Sequence, residues 1–266
     1  METLLDRTFW LGVLSSMVAA WFLWLLARLL NIRIPRPTRW LWATLFRDAH
    51  VVITQIPGNY DVQLKTGKQP PLTPIGDALA LSELLHHADS NFRAKLTLSY
   101  IFDDADWNRI RAKNLIIIGG PKYNVAAREV LSKLENNLKY QTARLQVPRD
   151  QWQREDLNLK KFVLNPNEDV GVKEYGLSTS DTVDYASVVW ARNPFNQDAR
   201  ILVVNGLTTL STLAAMRWLV SAWGWSWVHN MIGGQGVQIM LTCNAIDPIT
   251  VTTQRPVSIS RISARR

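Results

Sequence analysis

The sequence predicts an α/β domain with a mixed sheet, joined to a single N-terminal transmembrane helix. Three observations predict it. β-Branched apolar runs alternate with stretches of helical period, several of those runs stop at a turn residue and lead into a helix pattern, and an uncharged run of twenty residues lies near the start. With 266 residues and 47% hydrophobic content the chain can bury a sizeable core. A formal net charge of +8 favours anionic partners, among them lipid headgroups, nucleotides and nucleic acid. The single cysteine, Cys243 in the apolar run GVQIMLTC, excludes an intrachain disulfide framework and reads as a buried thiol in a reducing compartment.

The uncharged run is Thr8–Ala27, long enough to cross a hydrocarbon core, with Trp10 near one end and Trp21 and Trp24 toward the other, where indole rings settle at interfaces. Its flank METLLDR is not a signal-peptide flank, and no small-residue cleavage site follows. Arg28, Arg33, Arg36, Arg39 and Arg47 come after it, so the positive-inside rule predicts an outward N-terminus and a cytoplasmic C-terminal domain. Residues 1–31 are therefore expected as the anchor. Residues 32–48, which mix arginines with Trp40, Leu41, Trp42, Leu45 and Phe46, are expected as a basic juxtamembrane segment on anionic headgroups. Residues 49–266 are expected as the soluble domain.

Within that domain HVVITQI reads as a strand ending at Pro57-Gly58-Asn59. IGDALALSELLHHA carries a helical apolar face, with Thr73 and Pro74 suited to its cap and first turn. KLTLSYI alternates as a strand, and DDADWNRI reads as a short helix with an acidic start at Asp103, Asp104 and Asp106. NLIIIGG is an apolar strand stopped by two glycines, and PKYNVAAREVLSKLENNLK supplies a helix with Pro121 near its start. The basic stretch YQTARLQVPRDQWQREDLNLKKF reads as an irregular surface excursion. DYASVVWARNPFNQDARILVVNG reads as two strands around an Asn-Pro-Phe-Asn turn, and TLAAMRWLVSAW as a helix opened by Thr208, Thr209, Ser211 and Thr212. The final segments GVQIMLTCNA and ITVTTQRPVSISRI are strand-like and predict an antiparallel edge. Arg217 and His229 argue against a second span over residues 213–232.

Three strand-to-helix junctions carry special turn chemistry: Asn59 leading to Thr73 and Asp77; Gly119 and Gly120 with Asn124; and Gly206 with Thr208, Thr209 and Thr212. At the carboxyl ends of parallel strands such junctions line one crevice, where helix N-termini favour an anionic or polyhydroxylated ligand. Tight turns and caps alone would account for any one junction. Asp77 is the acid to inspect first, and Arg192, Asn193 and Asn196 are expected to reach the same rim. Neither G-x-G-x-x-G nor G-x-x-x-x-G-K-[ST] occurs at these turns, so NAD chemistry and NTP hydrolysis lack their fingerprints. Catalytic residues are not identified. The pair His86 and His87 lies on a helix where neighbours point apart, no G-x-S-x-G elbow is present, and neither metal nor cofactor is expected. The clustered tryptophans and the basic tail RISARR fit packing, membrane contact or a solvated end better than a nucleic-acid reader, so nucleic acid is not expected as a partner.

At NLIIIGGPKYNVAAREVLSKL and ILVVNGLTTLSTLAAMRWLV the chain resembles Rossmann-like domains of prokaryotic surface-layer and cell-wall-binding proteins. The second segment also resembles, more loosely, the CRISPR-associated Rossmann fold that senses cyclic oligonucleotides. The likeness covers about a quarter of the chain. It departs from the first family in orientation, since surface-layer proteins lie outside the cell, and from the second in its glycine pattern. The resemblance implies a three-layer Rossmann-like domain with a binding crevice more than an activity; the anchor and the arginines after it predict a bacterial inner-membrane location, and signalling in prokaryotic defence is the expected context. The leading expectation is a sensor or effector that binds a small anionic, nucleotide-derived ligand, with a homo-oligomer as a further expectation. A membrane-tethered nucleoside- or nucleotide-processing enzyme and an assembly module binding a protein partner are the alternatives.

Overall fold

The computed structural model describes residues 36–55, 73–101, 104–146, 160–168, 171–176, 183–221, 236–244 and 252–262. The predicted anchor Thr8–Ala27 lies outside the described residues. Among the described residues no helix is long and apolar enough to cross a membrane.

The protein is a mixed α/β fold. In chain order its elements are α1 (Arg36–Phe46), β1 (His50–Ile53), α2 (Ile75–Phe92), β2 (Thr97–Ser99), α3 (Asp104–Ile110), β3 (Leu115–Ile118), α4 (Val125–Leu134), β4 (Tyr140–Thr142), β5 (Lys161–Leu164), β6 (Glu174–Gly176), β7 (Val183–Asn193), β8 (Asn196–Gly206), α5 (Thr209–Val220), β9 (Gly236–Asn244) and β10 (Thr252–Arg261). The main sheet runs β10-β9-β7-β8-β3-β1-β2. Its β2, β1, β3 and β8 strands are parallel, and β8, β7, β9 and β10 are antiparallel, as the strand-like C-terminus predicts. The central parallel strand β3 is buried on both faces and is accordingly apolar at every position, Leu115–Ile118, whereas the edge strand β2 is short and largely exposed.

The two-residue period of the strands divides these side chains between two cores. Val51, Ile53, Ile116, Ile118, Leu202 and Val204 point to one face and pack with α1, α2 and α5; Val52, Leu115, Ile117, Ile201 and Val203 point to the other and pack with α3 and α4. Helices therefore cover both faces of the sheet.

Three expectations are corrected. First, the 32–48 segment does not lie wholly outside the domain. In α1 the residues Leu41, Trp42, Leu45 and Phe46 form a helical stripe buried in the first core, while Arg39 and Trp40 face outward. The Trp42 ring lies tilted against His87 on α2 with centroids 4.9 Å apart, and burial pushes that imidazole down to about 4, so it is a neutral core residue. Asn114 fastens the end of α1 to the sheet: its Nδ2 donates to the carbonyls of Thr44 (3.0 Å) and Arg47 (2.7 Å), and its Oδ1 accepts from Arg200 N (2.7 Å). The folded unit thus takes in α1 rather than starting at residue 49.

Second, the basic stretch after α4 is not simply an excursion. Strands β4, β5 and β6 form a small antiparallel sheet whose Tyr140, Phe162 and Tyr175 are buried against Met240 of β9. The buried Gln238 of β9 serves as a surrogate backbone, accepting from Tyr140 N (2.9 Å) and donating to Tyr140 O (2.7 Å) and Ser187 Oγ (3.2 Å). Replacing it by leucine strands both backbone groups of Tyr140. We expect Gln238→Leu to cost about 2–4 kcal/mol and to accelerate amide exchange in β4–β6 before the main sheet, read by hydrogen-exchange mass spectrometry.

Third, Pro121, expected near the start of α4, lies in the turn ahead of the helix and outside its first turn. Asn124 caps the helix, as described below. The described part of the apolar 213–232 stretch is α5, packed inside the fold between the sheet and α2. Its Arg217 pairs with Glu83 at 3.0 Å, a bridge one-third exposed and worth at most about 1 kcal/mol.

Candidate functional site

The parallel strands set the position of the site. Strand β1 lies between β2 and β3, so the chain leaves β1 toward one neighbour and returns to the other side of it. The helix after β1 covers one face and the helix after β3 the other, which opens a crevice beyond the carboxyl ends of β1 and β3. There the structure has a cleft of about 310 Å³ lined by Thr54, Pro74, Asp77, Gly120, Lys122, Tyr123, Lys160, Gly206, Leu207, Thr208, Thr209 and Thr212.

Two glycines make the convergence sterically feasible. Gly76, in the first turn of α2, has no room for a side chain: a Cβ would fall 2.3 Å from the backbone oxygen of Thr209. The N-terminal turns of α2 and α5 therefore touch backbone to backbone. Gly119 has φ +102°, which an L-residue rarely adopts, and a Cβ there would overlap Thr54 Oγ1 and lie 2.8 Å from Asp77 Oδ2. Its N–H donates to Val204 O at 2.9 Å, so the turn after β3 stays seated on β8.

Each junction has its own chemistry. The α5 junction is a full capping box: Thr208 Oγ1 accepts from Ser211 N, and Ser211 Oγ accepts from Thr208 N. Thr212 Oγ1 accepts from Gly206 N at 3.0 Å. The Thr208 hydroxyl donates to the buried Asp184 of β7, whose carboxyl is held above the usual carboxylate range by burial, against opposing hydrogen bonds from Thr208, Ser211 and Tyr185. This second buried acid was not singled out from the sequence, because nothing local to VDYAS marks it. Behind it Cys243 is fully buried and its thiol is pushed up to about 12, chiefly by burial and then by Asp184.

The α2 junction carries Asp77, which is 1% exposed. Burial drives its carboxyl up to about 6, more than the hydroxyls of Thr54 and Thr212 draw it down. Its Oδ1 has no hydrogen-bond partner among the described residues. Pro74, not Thr73, is the N-cap of α2; Thr73 instead donates to Thr54 O at 3.3 Å, stitching the helix start to the end of β1. At the third junction Asn124 caps α4, accepting from Ala127 N (3.1 Å), while its Nδ2 donates to Ile118 O (3.0 Å) and Val52 O (3.3 Å). It is 2% exposed and ties β1 to β3 rather than facing the cleft.

Of the residues singled out from the sequence, Asp77, Gly120, Gly206, Thr208, Thr209 and Thr212 line the cleft. Gly119, Thr73 and Asn124 stand behind it as turn, stitch and cap, and Asn59 lies outside the described residues. Arg192 is misplaced. It pairs with Arg200 near the start of β8, about 20 Å along that strand from Gly206 at ~3.4 Å per residue, so the β7–β8 turn sits at the opposite end of the sheet. There Asn193 Nδ2 donates to the carbonyls of Arg111 (2.8 Å) and Lys113 (2.7 Å), and Asn196 Nδ2 donates to Ala112 O (2.9 Å).

Sequence reasoning missed Lys122, Tyr123 and Lys160. Lys122 and Tyr123 directly follow Gly-Gly-Pro and so could have been read from the turn. Lys160 is brought in by the small sheet, and no local signal marks it. The acidic start of α3 is far simpler: Asp106 bridges to Arg109 at 2.6 Å on the surface, and Asp103 lies outside the described residues. Among the described residues no group of three or more His, Cys, Asp or Glu side chains is placed to hold a metal ion.

Chemically the cleft offers two lysines and helix N-termini on its walls, hydroxyls from Thr54, Thr208, Thr209 and Thr212, and one buried acid. Such a set attracts a small anion that also carries polar groups. The chain matches no family model, no curated protein and no solved structure.

Proposed function

We propose that the chain is a membrane-anchored sensor or effector whose Rossmann-like domain lies on the cytoplasmic side and binds a small anionic, nucleotide-derived ligand in this cleft. The observation that carries the reading is the convergence of Lys122, Lys160 and the capped N-terminus of α5 on one crevice at the carboxyl ends of β1, β3 and β8. In α5 the N–H groups at the start of the first turn have no acceptor within the helix, and the partial positive charge of that N-terminus lies beside the cleft that Thr208 and Thr209 line. The net charge of +8 draws anionic ligands to the domain as a whole. The anchor and the arginines after it support the cytoplasmic placement, where nucleotides are abundant.

Calorimetric titration of the full chain in detergent micelles against nucleoside mono-, di- and triphosphates and cyclic nucleotides tests this. At least one member is expected to bind. Lys122→Gln and Lys160→Gln are each expected to weaken it about tenfold, or ~1.4 kcal/mol, while Lys113→Gln at the far end of the sheet leaves it unchanged. No binding by any member overturns the reading.

The raised carboxyl of Asp77 favours a second reading, a nucleoside- or nucleotide-processing enzyme with Asp77 as its acid or base. Mass spectrometry of the same titration samples separates the two, since only an enzyme converts its ligand.

A further inference from the structure

The cleft holds one feature that anion binding leaves unexplained. Asp77 is 1% exposed and makes no ion pair among the described residues, yet its Oδ1 has no hydrogen-bond partner there. A buried acceptor left unsatisfied is costly, and the great majority in folded proteins are paired. A metal ion does not account for it, because Asp77 belongs to no group of three or more His, Cys, Asp or Glu side chains among the described residues. A bare anion does not account for it either. Phosphate brings no proton donor beyond its own acid proton, and an ionised Asp77 repels it. What satisfies this oxygen is a neutral donor, and the hydroxyls of Thr54 and Thr212 already flank the same carboxyl from the protein side.

Resting on the anionic-ligand reading above, we infer that the ligand is a phosphorylated sugar or ribonucleotide held in two seats. Its phosphate lies on Lys122, Lys160 and the start of α5, and a free sugar hydroxyl donates to Asp77. The cleft's volume of about 310 Å³ stands at the lower end of small-molecule sites, which suits one sugar phosphate or one mononucleotide rather than a dinucleotide. The glycine turn after β3 leaves room for the acid: a Cβ at Gly119 would overlap Thr54 Oγ1 and lie 2.8 Å from Asp77 Oδ2. The close contact of Gly76 with Thr209 sets the two seats side by side, since α2 carries Asp77 and α5 carries the capped N-terminus.

The test is a titration of the full chain in micelles with four probes: inorganic phosphate, ribose 5-phosphate, AMP and 2′,3′-dideoxy-AMP. Ribose 5-phosphate and AMP are expected to bind at least about tenfold more tightly than phosphate and the dideoxy analogue, the ratio a hydrogen bond to a charged group supports. Asp77→Leu, which removes the acceptor, is expected to bring AMP and its dideoxy analogue within about twofold of each other while the dideoxy analogue still binds, which also shows that the variant is folded. If AMP and dideoxy-AMP bind the unaltered chain equally, the hydroxyl seat is overturned and the anion seat stands. If none of the four probes binds, both are overturned.

Discussion

Replacing Asp77 by asparagine is expected to make the protein more stable, and only above the pH at which the acid ionises. The carboxyl titrates near 3.8 in an unfolded chain and at about 6 in the fold. A folded pKa raised above the unfolded one means that the native state binds the proton more tightly. Stability is then greatest below pH 3.8 and is lost as pH rises through about 6. The full span corresponds to about 3 kcal/mol, at 1.36 kcal/mol per pH unit. Asparagine is neutral throughout, so Asp77→Asn should gain about 1–3 kcal/mol at pH 8 and little or nothing at about pH 3, with part of the gain offset by weaker acceptance from Thr54 and Thr212. Urea unfolding of the full chain in micelles at the two pH values reads this directly. A stability difference independent of pH would show that Asp77 is not held as a buried acid.

How much of this was legible follows from which interactions are local. The three junctions were readable because a glycine at a strand end, an N-cap and a helix start occupy neighbouring positions, and their convergence follows once the strands are parallel. Asp77 was readable for the same reason, standing one turn into a helix after a threonine and a proline. The face of α1 is equally local: Leu41, Trp42, Leu45 and Phe46 lie on one stripe, but the flanking arginines drew the reading toward lipid. Lys160 and Asp184 were not readable. Lys160 reaches the cleft because β4–β6 fold back onto β9, and Asp184 meets Thr208 behind the cleft because β7 runs antiparallel beside β8; both depend on strand pairing over long sequence separations. Arg192 was misplaced for a related reason. A hairpin inserted next to a parallel strand sends its turn to the amino end of that strand, away from the crevice.

Trp42→Ala is expected to have the largest effect on stability of any single change in α1, about 3–5 kcal/mol, because the ring is fully buried between Phe46, His87 and Phe92. Trp40→Ala, two positions away with 63% of its surface exposed, is expected to change stability by less than about 0.5 kcal/mol. Urea unfolding of both variants, in micelles of neutral and of anionic detergent, measures the contrast. A helix lying on headgroups would give the opposite ranking, with Trp40 and the detergent charge mattering and Trp42 not. The packing also bears on how occupancy could reach the membrane. α2 is a single helix of 18 residues, about 27 Å long at 1.5 Å per residue. Its first turn places Asp77 in the cleft and its last turns place His87 and Phe92 against Trp42. One rigid element thus touches both the candidate site and the helix that follows the predicted anchor. Trp42→Ala should therefore reduce any ligand-dependent change in amide exchange over Leu41–Phe46 while leaving the change around Gly206–Thr212 in place; equal loss at both segments would show that α1 merely supports the fold.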